Sequence, residues 1–351
     1  VLSKVGPDLV TDDSTMAAGW MEDDIVVDVS KYVSQSSIDN LIDSALADAY
    51  GFEEEGMFIY PIVGTGSVLW LSGTCLDLVG AEIPETWDEL FAVAKLIHEK
   101  VVCVTDAAGN KAFVLRDSDA NADGSGTDVI GFACDTGETL REVCEQNGGV
   151  YDAATGGVLF NNEAVLDWLK KFQEGCSEGY LAPAFQGGYV NKDMNPGLLA
   201  MGGGSVACRP YFEIENVISY HVPQTEGSDT IATNARFRGF IVLDNGNEDR
   251  IKGACAFIDF FQKPENNLKL VKAMGYYAIM KDTIEMPEYQ QYLEENADLA
   301  QIWPEYGSNF PSIPVGTYIS EALTNCLASV ASGTDCQDAL NTAENFILSN
   351  R

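Results

Sequence analysis

The pattern of apolar and polar positions is clearest in the first quarter of the chain. Residues 57–63 form a short apolar run, which predicts a buried strand. Gly64-Thr65-Gly66 then interrupts the run, and glycine within a strand predicts a bulge or a crossing of the chain between two bodies. Residues 67–71 predict a second strand. The pattern therefore indicates two strands separated by a hinge-like segment.

A helix start follows these strands. Thr86 is a good N-cap residue and Glu89 stands three positions later, which is the spacing of a capping box. Apolar residues at helical spacing begin at Leu90, so we predict a helix over residues 90–100.

The rest of the chain alternates short apolar runs with helical periodicity, which is typical of an α/β protein. Short strands are predicted at residues 8–10 and 101–104, with a loop-rich insert over residues 106–128. Further helices are predicted over residues 37–48, 138–146, 162–174, 249–261, 317–329 and 337–348, and one more helix is predicted to end at residue 273.

Length and charge limit the function classes. A chain of 351 residues is long enough for two domains. Its 54 acidic and 20 basic residues give a net charge of -34, which repels phosphate backbones and anionic lipids. Nucleic acids and membrane surfaces are therefore poor partners. No apolar run is long enough to span a membrane.

Cysteine and histidine positions do not predict a zinc site. The chain has no CxxC pair, and His98 and His221 are far apart in sequence. The pairs Cys134/Cys144 and Cys326/Cys336 are each separated by nine residues. Either local disulfides in an oxidising compartment or small buried thiols fit this spacing.

The insert contains half of a calcium-binding pattern. Asp119, Asn121, Asp123 and Gly124 match the first half of an EF-hand loop, which supplies alternating oxygen ligands and a glycine at the sixth position. The twelfth position is Ile130, where that loop has a bidentate carboxylate. A bound calcium ion and a solvated acidic loop both remain open.

Catalytic patterns are weak. Glu213 and Glu215 would share one face of a strand and resemble the carboxylate pair of a glycosidase. No nucleophile elbow and no dinucleotide fingerprint accompany them, because residues 202–204 lack the required glycine spacing. We therefore expect no enzymatic activity and no required cofactor.

Several segments in succession resemble one family. The segment around "YPI" and "PETWDEL" (residues 60–90) and the run "FIDFFQKPENN" with the later "GYYAIMKD" resemble the extracellular solute-binding proteins of ABC importers, in the branch of the maltodextrin-binding proteins. The resemblance implies an α/β, two-lobed periplasmic-binding-protein fold of type II with three crossover segments. It also implies that a strand–helix–strand unit precedes Val1, so the lobe that begins there is expected to be incomplete.

The resemblance implies domain boundaries as well. Residues 1–63 and 243–286 would form lobe 1, and residues 67–238 and 295–351 would form lobe 2. Hinges are expected near residues 64–66, 239–242 and 287–294.

The function implied is carbohydrate binding outside the cytoplasm, with closure of the lobes around the sugar and delivery to a membrane permease. The chain would act as a monomer, anchored by lipid through a segment before Val1. A glycan-acting enzyme and a calcium-stabilised surface adhesin are the alternatives.

Sugar-binding sites need carboxylates for hydroxyl groups and aromatic rings for apolar faces. Residues expected to contact the sugar are Asp12, Asp13, Ser14, Thr65, Glu138, Tyr211, Phe212, Arg238, Trp303 and Tyr318.

Overall fold

The structure is a computed structural model that describes residues 6–21, 23–52, 55–106, 108–228, 234–302, 308–309 and 315–350. The strands are β1 Leu9–Asp13, β2 Tyr60–Ser72, β3 Val101–Thr105, β4 Lys111–Leu115, β5 Thr127–Asp128, β6 Ile130–Ala133, β7 Tyr151–Asp152, β8 Gly157–Val158, β9 Leu181–Ala182, β10 Leu199–Ser205, β11 Val217–Tyr220, β12 Asn234–Val242 and β13 Ser308–Asn309.

The α-helices are α1 Ser14–Met21, α2 Gln35–Asp39, α3 Asp43–Ala49, α4 Gly73–Val79, α5 Trp87–Lys100, α6 Thr136–Gln146, α7 Glu163–Glu178, α8 Val190–Met194, α9 Glu248–Phe261, α10 Pro264–Met274, α11 Lys281–Ile284, α12 Pro287–Glu295, α13 Ala297–Ile302, α14 Gly316–Ala331 and α15 Cys336–Ser349. Short 3-10 helices occur at Val29–Lys31, Asp119–Asn121 and Val206–Tyr211. Within the described ranges, no helix is both long and apolar enough to cross a membrane.

The chain divides into two compact units. Unit 1 contains residues 1–66, 235–303 and 309–317, and unit 2 contains residues 67–234, 304–308 and 318–351. The sequence placed hinges near residues 64–66, 239–242 and 287–294. In the structure, the chain passes between the units after residues 66 and 234 and again near residues 303–318.

Unit 1 is built on an antiparallel sheet in the order β1–β12–β2. Side chains alternate between its two faces. Tyr60 and Val242 belong to the larger core cluster, which also includes residues of α9 and α10. Ile59 and Ile241 instead pack with Ala17 of α1 in a second cluster. Both faces of the sheet are therefore covered by apolar side chains.

Strand β2 corrects the expectation of two strands with an interruption. Gly64, Thr65 and Gly66 lie inside one continuous strand, and all of its residues are buried. Their backbone is held in register with residues 235–237 of β12. Glycine lacks a side chain but keeps its backbone donor and acceptor, so ladder pairing maintains the strand.

In unit 2, β10 pairs antiparallel with the second half of β2 and parallel with β6, which continues the strand order β1–β12–β2. Strand β6 continues the order to β9, and β11 pairs with β2. Helix α5 lies directly against β6: a Cβ at Gly131 would come 2.1 Å from the carbonyl oxygen of Ala94. Glycine is therefore required at residue 131 for this close packing.

Two segments contain structure that the sequence pattern did not predict. The loop-rich insert over residues 106–128 also contains β4 and β5, which pair with β3 to form a three-stranded sheet. The single helix expected over residues 37–48 is divided into α2 and α3. Between them, the Ile42 amide donates to the Ile279 carbonyl oxygen, a long-range pairing that local periodicity does not encode.

The expected capping box is confirmed. The Thr86 side chain accepts from the Glu89 amide, and the Glu89 side chain accepts from the Thr86 amide. The helix it begins, α5, runs from Trp87 to Lys100. Trp87 is buried, as expected of a structural residue, and its indole donates to Gln146 Oε1.

Candidate functional site

Polar side chains in unit 1 collect where β1 ends and α1 begins. Asp12 and Asp13 are the last residues of β1, and Ser14 is the first residue of α1. Because β1 pairs antiparallel with β12, Asp13 lies opposite Arg238 in the register. Three residues predicted from one short loop and a fourth predicted from a distant strand therefore meet at one edge of the sheet.

Asp13 has two functions in this arrangement. Its Oδ1 accepts hydrogen bonds from the amides of Thr15 and Met16, so the carboxylate caps the N-terminus of α1. Its Oδ2 lies 3.5 Å from Nη1 of Arg236. Sequence reasoning missed Arg236, although it stands two positions before Arg238, on the same face of β12.

Asp12 and Arg238 form a more open pair. Asp12 Oδ1 accepts from the Asp13 amide and lies 3.8 Å from Nη1 of Arg238. The Arg238 side chain is 43% exposed, against 26% for Arg236. Solvent screens exposed pairs and makes them weak, so the groups of this outer pair are free to exchange water for a ligand at little cost.

Ser14 and Thr65 are less accessible than the sequence suggested. Ser14 is 5% exposed, and its hydroxyl donates to Oδ1 of Asp48 at 3.0 Å. Asp48 is itself buried. The pKa of Asp48 is raised to about 7, chiefly by burial and in smaller part by the charge of Asp13, although the hydrogen bond from Ser14 acts to lower it. Thr65 is buried in β2, opposite Arg236 in the register.

In unit 2, Tyr211 is the most accessible of the predicted contact residues. It is 52% exposed, and its carbonyl oxygen accepts from Nδ2 of Asn195 at 2.9 Å. The amide of Glu213 donates to the other end of the same Asn195 side chain. Both hydrogen bonds fix the backbone on which the exposed ring stands.

Phe212 packs inward instead. Its ring centroid lies 4.8 Å from that of Trp70, which is fully buried. The Arg209 guanidinium lies 5.2 Å from the Trp70 ring, within cation–π range. Phe212 therefore supports the loop, while Tyr211 presents a ring to solvent.

Glu138 lies in the first turn of α6. That helix begins at Thr136, whose φ of 48° is in the left-handed region, and for a β-branched residue this is a strained conformation. The amide of Gly137 donates to Thr324 Oγ1 of α14, and a Cβ there would come 2.5 Å from the Thr324 nitrogen. Strain of this kind is tolerated where packing dictates it and is frequent at ligand sites.

Tyr318 lies in α14 and its side chain is 36% exposed, with its ring 6.1 Å from that of Phe346. Trp303, the remaining predicted contact residue, lies outside the described residues.

The insert loop satisfies its own polar groups. Asn121 is buried; its amide group donates to the Arg116 carbonyl oxygen and accepts from the Gly126 amide. Asp123 accepts from both the amide and the hydroxyl of Ser125, and these bonds lower the pKa of its carboxyl group. Among the described residues, no cluster of three or more histidine, cysteine or acidic side chains is placed to hold a metal ion. Calcium binding by Asp119, Asn121 and Asp123 stays a prediction.

Two other patterns noted in the sequence, a carboxylate pair and local disulfides, are not supported by the geometry of the described residues. Glu213 and Glu215 are exposed and precede β11, so they do not share a strand face. All nine cysteines are free thiols, and eight of them are buried. Local disulfides between Cys134 and Cys144 or between Cys326 and Cys336 are therefore not formed.

Two α/β units, with carboxylates at the end of β1 beside the guanidinium groups of β12 and an exposed aromatic ring in unit 2, suit a protein that binds a polar small molecule. Comparison with known proteins agrees. Residues 3–296 match the model of a family described as bacterial extracellular solute-binding protein, and the chain belongs to this family. It is therefore an extracytoplasmic binding protein rather than an enzyme. No curated protein matches the chain.

Solved structures show the same fold at low sequence identity. A maltose-bound binding protein of T. maritima superposes with a TM-score of 0.77 at 14% identity, covering 100% of this chain and 86% of the other. A sugar transporter of Arthrobacter chlorophenolicus with bound laminaribiose gives 0.77 at 17% identity, covering 99% and 86%. UgpB from Mycobacterium tuberculosis in complex with glycerophosphocholine gives 0.75 at 15% identity, covering 99% and 85%. The two-lobed fold expected from the sequence is confirmed.

Proposed function

We propose that this protein binds a sugar or oligosaccharide and delivers it to the membrane permease of an ABC importer. Membership of the solute-binding family supports a binding role. Two of the similar solved structures contain a bound carbohydrate, maltose in one and laminaribiose in the other. The observation that carries the proposal is the exposed Asp12–Arg238 pair beside the half-buried Asp13, which caps α1. Sugar hydroxyl groups both donate and accept, so a fixed carboxylate next to a guanidinium group suits them.

In unit 2, Tyr211 offers an exposed aromatic ring. A sugar ring has an apolar face that stacks on an aromatic side chain, and Tyr211 is the exposed aromatic whose backbone is held by Asn195. Glu138 and Tyr318, both partly exposed in unit 2, are further candidates for hydroxyl contacts. We expect the protein to work as a monomer, which light scattering after size exclusion measures directly.

Thermal-shift measurements with maltose, maltotriose, laminaribiose, ribitol and glycerophosphocholine test the ligand class. A ligand present at about 100 times its Kd stabilises the folded protein by about 2.7 kcal/mol, which is a readily measured rise in Tm. We expect an oligosaccharide to give the largest rise. A rise with glycerophosphocholine alone would contradict carbohydrate binding and leave the solute-binding role intact.

Variants connect the bound sugar to the proposed residues. Tyr211→Ala should weaken the best sugar by about tenfold or more while leaving the Tm of the free protein nearly unchanged, because the ring is exposed. Phe257→Ala, which removes an exposed aromatic ring from α9, is the matched control and should bind normally. Release of shorter sugars from maltotriose would instead indicate a glycan-acting enzyme.

A further inference from the structure

Asp48 is a buried carboxyl group directly behind the candidate site of unit 1. It lies near the end of α3 and is 8% exposed. Oδ1 accepts the hydroxyl hydrogen of Ser14 at 3.0 Å, and Oδ2 has no hydrogen-bond partner among the described residues. A buried carboxylate oxygen without a donor strongly disfavours the charged form.

The negative charge of Asp13 acts in the same direction. From β1, Asp13 faces Asp48 and disfavours a second negative charge nearby. The guanidinium group of Arg236 from β12 approaches Asp13, and that of Arg238 approaches Asp12. With Asp48 neutral, two carboxylates meet two guanidinium groups. With Asp48 ionised, the cluster carries one uncompensated negative charge.

The protonation of Asp48 decides what Ser14 offers to a ligand. An ionised carboxylate only accepts hydrogen bonds, so the Ser14 hydrogen is committed to Asp48. A neutral carboxyl group has a hydrogen of its own and donates to the Ser14 oxygen. That arrangement releases the Ser14 hydrogen from Asp48.

We propose that Asp48 is a positioning residue of the carbohydrate site: neutral Asp48 supports sugar binding through Ser14, and ionisation of Asp48 weakens it. The inference rests on the proposed function and adds a pH response to the same site. A bound sugar removes water from the Asp13–Ser14 edge, which further favours the neutral acid. Binding should therefore take up a proton and tighten as the pH falls through the neutral range.

The test is calorimetric titration of maltotriose and of laminaribiose into the full chain at about pH 5.5 and about pH 8.5. We expect the parent to lose roughly threefold or more in affinity at the higher pH. Asp48→Asn is a permanently neutral isostere and should bind alike at both values. Asp43→Asn, an exposed change in the same helix, is the matched control and should retain the pH dependence of the parent. Titrations in buffers of different ionisation enthalpy should show proton uptake by the parent and none by Asp48→Asn.

The failures are distinguishable. Sugar binding with equal pH dependence in the parent and in Asp48→Asn would overturn the role of Asp48 and leave the proposed function intact. Failure of both sugars to bind the parent at either pH would contradict the proposed function and this inference together.

If Asp48→Asn does not fold, Ser14→Ala supplies the second test. It removes the hydroxyl group through which Asp48 acts, so sugar binding should weaken at about pH 5.5 and lose most of its pH dependence. Sugar binding with the affinity and the pH dependence of the parent would overturn the proposal.

Discussion

Two arginines of β12 stand two residues apart and have different surroundings. Arg236 contacts the half-buried Asp13, which also caps α1, whereas Arg238 contacts the more open Asp12. Partners of buried charges stabilise the fold, since removing one leaves the other uncompensated. Exposed charges contribute little to folding and are available to ligands. We therefore expect Arg236 to contribute to folding and Arg238 to contribute to ligand binding.

Substitution of each arginine should show this division. Arg238→Ala should weaken sugar binding by about tenfold, equivalent to about 1.4 kcal/mol, with little effect on Tm. Arg236→Ala should lower the free energy of unfolding by about 1–3 kcal/mol, because Asp13 loses a charged partner. Urea denaturation and sugar titration of both variants measure the two effects. Equal stability losses in the two variants would mean that the inner pair has no special structural role.

Asp48 also predicts how stability depends on pH without any ligand. Its pKa is raised to about 7 in the folded protein against an ordinary value of 3.8. The neutral form is favoured by folding, so the contribution is fully present below about pH 4 and is lost as the pH rises through about 7. A difference of about 3 in pKa corresponds to on the order of 4 kcal/mol.

Asp48→Asn removes this loss. The variant should be more stable than the parent at about pH 8 and similar to it near pH 4, as measured by urea denaturation. Asp43→Asn, exposed in the same helix, should follow the parent at both values. A pH profile of Asp48→Asn identical to that of the parent would show that Asp48 is ionised at neutral pH.

At the scale of elements, the sequence predicted interactions between near neighbours better than interactions between distant residues. The Thr86–Glu89 capping box was predictable from the sequence because its partners lie three residues apart. The small sheet β4–β3–β5 was not predicted, because residues 104–126 separate the paired positions of β3 and β5, and short strands lack a strong periodic pattern. Its loop at residues 119–124 also carries the calcium prediction.

A calcium ion at this loop would stabilise the insert. Chelation with EDTA should then lower the Tm, and Asp123→Ala should abolish that sensitivity. Asp117→Ala, a neighbouring acidic residue outside the EF-hand-like positions, is the control and should keep it. Identical melting curves with and without chelator would remove the site.

At the scale of the whole molecule, charge is the dominant feature. With a net charge of -34, the excess carboxylates repel one another in the compact folded state, and dissolved salt screens that repulsion. Charge of this sign also makes contact with nucleic-acid phosphates unfavourable.

Salt should therefore stabilise the protein. We expect the Tm at pH 8 to rise between about 0.01 M and about 0.5 M NaCl. The rise should be smaller near pH 4.5, where protonation of carboxylates reduces the net charge. A Tm that falls with salt would mean that the ion pairs, such as Arg250–Asp8, outweigh the general repulsion.

The sequence by itself determined what is encoded between near neighbours or over the chain as a whole. It located α5 and its cap, predicted the buried residues of β2 and set the acidic charge. The ordered succession of its segments also indicated the solute-binding family. These features depend on local hydrogen bonds, periodicity and composition, all of which are read directly from neighbouring residues.

Only the tertiary structure decided which distant residues meet. Pairing with β12 keeps Gly64 and Gly66 inside a continuous strand, and the same strand brings Arg236 to Asp13. The folded chain brings Asp48, near the end of α3, to Ser14 at the start of α1 and removes it from water. The desolvation that raises the pKa of Asp48 is a property of that three-dimensional environment, and no local pattern around residue 48 contains it.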